Sequence, residues 1–186
     1  MGFFQWLKRL FGWAPRTQVP YRASPFPPGT GPARIVVLRH AEKTGDKRDP
    51  LLSAAGVRRA DMLVEYIPAM FGRPDFLIAA KTSKRSRRPV QTLEPIAAAL
   101  ALPVRAKIDD DDSDDLVEML RDKPRYQGKF GVVCWRHSEL PELLAMLGAA
   151  PGTYPVSWDE NDYTTIVDIV FPGTGEVRAT RMRMPD

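Results

Sequence analysis

Four short apolar runs, each followed by a helical pattern, do most to limit what this chain can become. Residues 34–38 (RIVVL), 76–80 (FLIAA), 103–108 (PVRAKI) and 131–135 (GVVCW) read as strands. The near-continuous apolar character of most of them suits strands covered on both faces. Helical patterns follow over 53–71, 89–101, 114–122 and 139–148. The first has Ser53 as its cap, with Val57, Ala60, Leu63, Val64 and Ile67 on one face, and Pro89 opens the second. The chain closes with 163–171, the turn Pro172-Gly173-Thr174-Gly175 and 176–182, a hairpin pattern. Such repetition predicts a three-layer αβα sandwich with a mostly parallel sheet. At 186 residues there is room for one such domain, over 34–186. In sheets of this kind ligands bind beyond the carboxyl ends of the strands.

The segment before residue 34 reads differently. Residues 15–33 hold six prolines and two glycines, the composition of an extended linker. Over 2–13 (GFFQWLKRLFGW), Phe3, Phe4, Trp6, Leu7, Leu10, Phe11 and Trp13 fall on one half of a helical wheel, with Lys8 and Arg9 on the other. The expectation is an amphipathic helix over 1–14. A helix this short needs a surface to lie on: an anionic membrane, a partner, or the chain's own domain. Lys8 and Arg9 interrupt what a secretory signal would keep apolar, and Trp6 stands where a myristoylation signal wants Ser or Thr. The reading is a cytoplasmic protein, peripheral at the inner face of the membrane if 2–13 binds there.

Charge follows the same division. The first 33 residues carry Lys8, Arg9, Arg16 and Arg22 and no acid, which leaves 23 basic and 23 acidic residues in the remainder. A nucleic-acid-binding domain spreads its positive charge over a folded face, so no nucleic-acid partner is expected. One cysteine, Cys134, excludes an internal disulfide and a thiolate-only metal cage.

The chain has only two histidines, and both lie two residues past a predicted strand. His40 follows RIVVL and His137 follows GVVCW, each directly preceded by an arginine, Arg39 and Arg136. In a parallel sheet both imidazoles emerge at the functional edge. Neutral imidazole is a nucleophile near physiological pH. Zinc is the competing use, with Glu42 or one of 109–112 as a further ligand, but flanking guanidiniums repel a cation and attract an anion.

The run Leu38-Arg39-His40-Ala41-Glu42-Lys43 resembles the signature of the histidine phosphatase superfamily, which includes phosphoglycerate-mutase-like and SixA-like enzymes. Three further segments follow in the family's order: LLSAAGVRRA at 51–60, SKRSRRPVQT at 83–92 and VVCWRHSELPELLAML at 132–147. The resemblance implies the phosphoglycerate-mutase-like fold and a phosphate pocket made by the catalytic residues Arg39, His40, Arg88 and His137. It implies that His40 attacks phosphorus and becomes phosphohistidine, which water then hydrolyses. The substrate would be a phosphorylated small molecule or a phosphoprotein, with no cofactor and no metal. The alternative is a catalytically weak phospho-ligand-binding or adaptor protein that keeps the pocket.

The pattern is incomplete in places. The Glu-Gly-Trp context that usually carries the family's proton donor is absent; six aspartates crowd 109–115 instead. Crowded carboxylates raise one another's pKa, as a general acid requires, and Asp110 is favoured over Asp111. Ala41 stands where many members have glycine, and Arg136 where they have a small residue. The basic run Lys81, Lys84, Arg85, Arg87 and Arg88 contains one implied ligand and an anion-attracting rim. The outer wall of the pocket is expected from 44–50, 109–115 and 151–162.

Overall fold

The computed structural model describes residues 24–46, 48–173 and 177–185. The expected helix over 1–14 and the first part of the proline-rich stretch lie outside them. The strands are β1 (Arg34–Arg39), β2 (Phe76–Ala79), β3 (Val104–Arg105), β4 (Phe130–Trp135), β5 (Thr165–Val170) and β6 (Arg178–Arg183). The helices are α1 (Ala54–Phe71), α2 (Arg88–Leu100), α3 (Ser113–Asp122) and α4 (Leu140–Met146). One sheet holds all six strands in the order β3-β2-β4-β1-β5-β6. The first four in that order run parallel, and β5 and β6 join antiparallel as a terminal hairpin.

The two-residue period of the strands divides the core into two layers. Val36 and Leu38 of β1 and Val132 and Cys134 of β4 face Leu63, Ile67, Leu93 and Ile96 of α1 and α2. Ile35, Val37, Val133 and Trp135 face Leu116, Leu120, Leu143 and Leu144 of α3 and α4. Because β1 and β4 are covered on both sides, their alternate residues are all apolar, which is why they stand out as runs rather than as alternations. β3 is shorter than the 103–108 pattern suggests: it is an edge strand opened by Pro103, and it pairs only through Val104 and Arg105.

The α1 face is rotated from its expected setting. Its buried positions are Gly56, Ala60, Leu63, Ile67 and Phe71, while Val57 is 49% exposed. The reason lies in the loop after β1. Ser53 N–H donates to the Glu42 carbonyl at 2.9 Å, and Gly56 lies so close that a Cβ there would run into that same oxygen. Only glycine allows this approach, so the helix turns its smallest residue inward and valine outward. The approach matters because Glu42 is two residues from His40.

Residues 24–33 run along the domain. Phe26 is buried edge-on against Phe171, with ring centroids 4.8 Å apart. Gly128 N–H donates to Gly31 O, and Ala33 N–H to Lys129 O. Among the described residues no helix is long and apolar enough to cross a membrane.

Gly56→Ala is expected to lower stability by about 1–3 kcal/mol, the usual penalty for overpacking. Val57→Ala should stay within about 0.5 kcal/mol. Urea unfolding midpoints compare the two, and a neutral Gly56→Ala would refute the close approach.

Candidate functional site

Arg39 and Trp135 are paired in register at the carboxyl ends of β1 and β4, and His40 N–H extends the ladder to Trp135 O at 3.1 Å. His40 and His137 therefore leave two adjacent parallel strands at one edge of the sheet. His40 is buried, and its Nδ1 lies 2.7 Å from the Ala41 carbonyl. A carbonyl only accepts, so Nδ1 carries the proton and Nε2 carries the lone pair. The Ala41 N–H donates to Thr92 Oγ1 at 2.9 Å, and Thr92 Oγ1 donates to Arg88 O at 2.8 Å. The buried Thr92 thus ties the histidine loop to the first turn of α2, where Arg88 sits.

Arg39 is 1% exposed. Its Nη1 donates to the carbonyls of Glu160 at 2.6 Å, Asp159 at 3.2 Å and Asp162 at 3.3 Å. Its guanidinium lies over the Tyr163 ring, 3.9 Å from the centroid. That ring is in turn 6.3 Å from the His40 ring. The loop that supplies the carbonyls is braced by its own side chains. Asp162 accepts four hydrogen bonds from Thr164 and Thr165, and Trp158 Nε1 donates to Asp162 O at 3.2 Å. Burial works against ionisation of Asp162, but those hydrogen bonds outweigh it and hold the carboxyl below its ordinary value.

Arg88 is held at Nη1 by Asp49 O at 2.7 Å. Among the described residues, Arg39 Nε and Nη2, Arg88 Nε and His137 Nδ1 are buried polar atoms with no protein hydrogen-bond partner. Leaving a buried donor unpaired costs about 1–3 kcal/mol, so a group of them needs a reason. Burial first, then the charges of Arg39, Arg88 and His137, bring His40 down to about 3 against the opposing Ala41 hydrogen bond. Burial, then Arg39, Arg136 and Lys43, bring His137 down to about 4, with Glu160 opposing. Both imidazoles are neutral at pH 7, and both guanidiniums stay charged although burial lowers them. The arrangement is a neutral imidazole beside fixed cations, with buried nitrogens that meet no protein acceptor.

The rim includes residues that the sequence pointed to only loosely. Lys43 Nζ pairs with Glu160 at 3.2 Å, which joins the loop after β1 to the loop before β5. Glu42 pairs with Arg59 of α1 at 2.7 Å. Thr44 Oγ1 donates to Asp46 O. In the acidic run, Asp110 pairs with Arg136 at 3.4 Å and its carbonyl accepts from Trp135 Nε1, while Asp109 pairs with Lys81. Burial and the surrounding aspartates raise Asp112, which precedes α3 without a side-chain capping bond. Among the described residues no cluster of three or more His, Cys, Asp or Glu is arranged to hold a metal. Sequence reasoning did not single out Tyr163 or Thr92. Thr92 closes the segment SKRSRRPVQT at 83–92, and the Asp162-Tyr163-Thr164-Thr165 spacing is that of a side-chain-capped turn into a strand.

The depressed histidines make stability depend on pH in a defined direction. Folded His40 takes up a proton near pH 3, whereas the unfolded residue does so near 6.5. Between those limits the unfolded chain binds more protons, so stability falls as pH drops through this window. Thermal unfolding midpoints measured from pH 7 to 4.5 are expected to fall more steeply in the wild type than in His40→Ala. Parallel curves would refute a buried neutral His40.

No protein-family model and no curated protein sequence matches the chain. Among solved structures, it is similar to the protein histidine phosphatase SixA in complex with tungstate. That match has a TM-score of 0.58 at 15% identity, over 81% of this chain and 96% of that one. A mycobacterial glucosyl-3-phosphoglycerate phosphatase gives 0.55 at 16% identity, over 82% and 99%. The phosphoglycerate mutase of Plasmodium falciparum gives 0.54 at 12% identity, over 82% and 93%. The fold of this chain is therefore the one these solved histidine phosphatase, sugar-acid phosphatase and mutase structures share.

Proposed function

We propose that this protein is a cofactor-independent phosphatase that hydrolyses a phosphomonoester or phosphoramidate through a phosphohistidine on His40. One observation carries the reading. A buried neutral imidazole, with its proton fixed on Nδ1, lies within the fields of Arg39, Arg88 and His137, and Arg39 Nε and Nη2, Arg88 Nε and His137 Nδ1 are buried without protein partners.

The steps follow from that chemistry. His40 Nε2 directs its lone pair at phosphorus in line with the leaving group. The P–N bond forms as the bond to the leaving atom breaks, and the leaving atom takes a proton. Arg39, Arg88 and His137 bind the equatorial oxygens, where negative charge gathers as the transition state forms. Water then attacks phosphorus, the P–N bond breaks, and inorganic phosphate leaves with Nε2 restored. Asp110, held at the rim by Arg136, is our candidate for the proton donor. An activated leaving group needs that proton least. The names of the fold's relatives agree with a phosphorylated substrate, since they include a histidine phosphatase and a sugar-acid phosphatase.

Mixing the protein with 4-nitrophenyl phosphate and quenching in alkaline denaturant should trap a phosphoryl adduct by intact mass. His40→Ala should abolish the adduct and lower turnover by at least about a thousandfold. Saturable phosphate binding with no adduct in the wild type would favour the adaptor reading instead. The stacked ring has its own test. Tyr163→Leu should raise KM about fivefold through loss of the Arg39 contact, while Tyr163→Phe should stay within about twofold. If the two variants behave alike, the ring is not what holds Arg39.

A further inference from the structure

A cavity of about 380 Å³ opens beside His137 and takes no part in the steps above. Its walls are His137, Ser138, Pro141, Val156, Ser157 and Trp158. It therefore starts at a histidine of the phosphoryl pocket and runs out along the 156–158 segment.

The walls differ from the rest of the rim in charge. Lys81, Lys84, Arg85, Arg87 and Arg136 are all exposed around the strand ends, a strongly cationic surround. The cavity walls have no carboxylate, ammonium or guanidinium; their polar side chains are an imidazole, an indole and two serines. The indole N–H of Trp158 is already donated to Asp162 O, and Trp158 is only 5% exposed. Val156, by contrast, is 73% exposed at the mouth, near Pro141. A second acidic group placed here would lose water with no ammonium or guanidinium in the wall to pair with it directly. An apolar face laid against Val156 and Pro141 would gain by leaving water. The volume is also that of a small-molecule site, of about 300–1,000 Å³, rather than of a protein-docking surface.

Resting on the phosphoryl-transfer reading, we infer that this cavity receives the substrate's leaving group, a small uncharged organic moiety with an apolar face, such as an aryl or sugar alcohol. The phosphoryl group is then held by Arg39, Arg88 and His137, and selectivity among phosphate esters comes from the 156–158 wall.

The test is affinity, so that it does not depend on turnover. Methylphosphonate, 1-naphthylmethylphosphonate and 3-phosphonopropionate are titrated calorimetrically into the full chain and into Val156→Asp and Ser157→Trp. Both substituted residues are exposed, and circular dichroism checks that each variant keeps its fold. The naphthyl ligand should bind at least about tenfold more tightly than methylphosphonate, and both substitutions should remove that advantage. The carboxylate ligand should gain nothing. Equal affinity for the naphthyl and methyl ligands, an advantage that survives both substitutions, or a larger gain from the carboxylate would each overturn the inference. A naphthyl advantage in a protein that forms no adduct on His40 would overturn the phosphatase reading and keep the cavity. Binding of none of the three would overturn both.

Discussion

Burying a guanidinium costs several kcal/mol unless its hydrogen bonds are met, and Arg39 is buried almost completely. The site is organised around how that cost is offset. One nitrogen, Nη1, is saturated by three carbonyls of the loop before β5, and the ring face of Tyr163 covers the plane of the charge. The loop can supply carbonyls because its other groups are occupied: Asp162 collects the hydrogen bonds of two threonines, and Trp158 closes the turn from below. What remains is a rigid cation with two nitrogens that meet no protein acceptor. A lysine in this place could offer neither the planar face for the ring nor the fixed fork.

Burial, reinforced by the same charges, sets the state of the histidines. A buried imidazole close to two guanidiniums gains nothing by protonation, so His40 keeps its lone pair over the physiological range. The hydrogen bond to the Ala41 carbonyl would favour the charged form, but it is outweighed; its lasting effect is to choose which nitrogen is free. Thr92 extends this control to α2, because one hydroxyl accepts from the histidine loop and donates to the carbonyl of Arg88. The His40 loop and the first turn that carries Arg88 are thus positioned by one hydrogen-bond chain.

Much of this could be read in the sequence because burial on both faces leaves an unmistakable run of apolar residues, as in β1 and β4. Strand ends in a parallel sheet face one way, so His40 and His137 could be brought together without coordinates. The face of α1 could not be read, because hydropathy favours Val57 over Gly56, whereas the packing is decided by one carbonyl of a loop far from any periodic pattern. The short β3 is hidden for another reason: the apolar pattern runs on past Arg105, whereas pairing with β2 ends there. The Arg39 clamp was the least legible part. Its acceptors are backbone carbonyls, which every residue has, and the sequence 159–162 shows only their acidic side chains.

The placement of β1 also bears on how the protein is made. This strand is the first to be synthesised among those of the sheet, yet it ends between β4 and β5, and Arg34 is bonded to Asp168, 134 residues away. A chain emerging from the ribosome exposes the whole β1 run long before either neighbour exists. The pieces that cover the charge beside His40 come between the two, after β4 and on the approach to β5. Contacts of such long range slow folding, so the half-made protein presents an uncovered apolar strand open to aggregation.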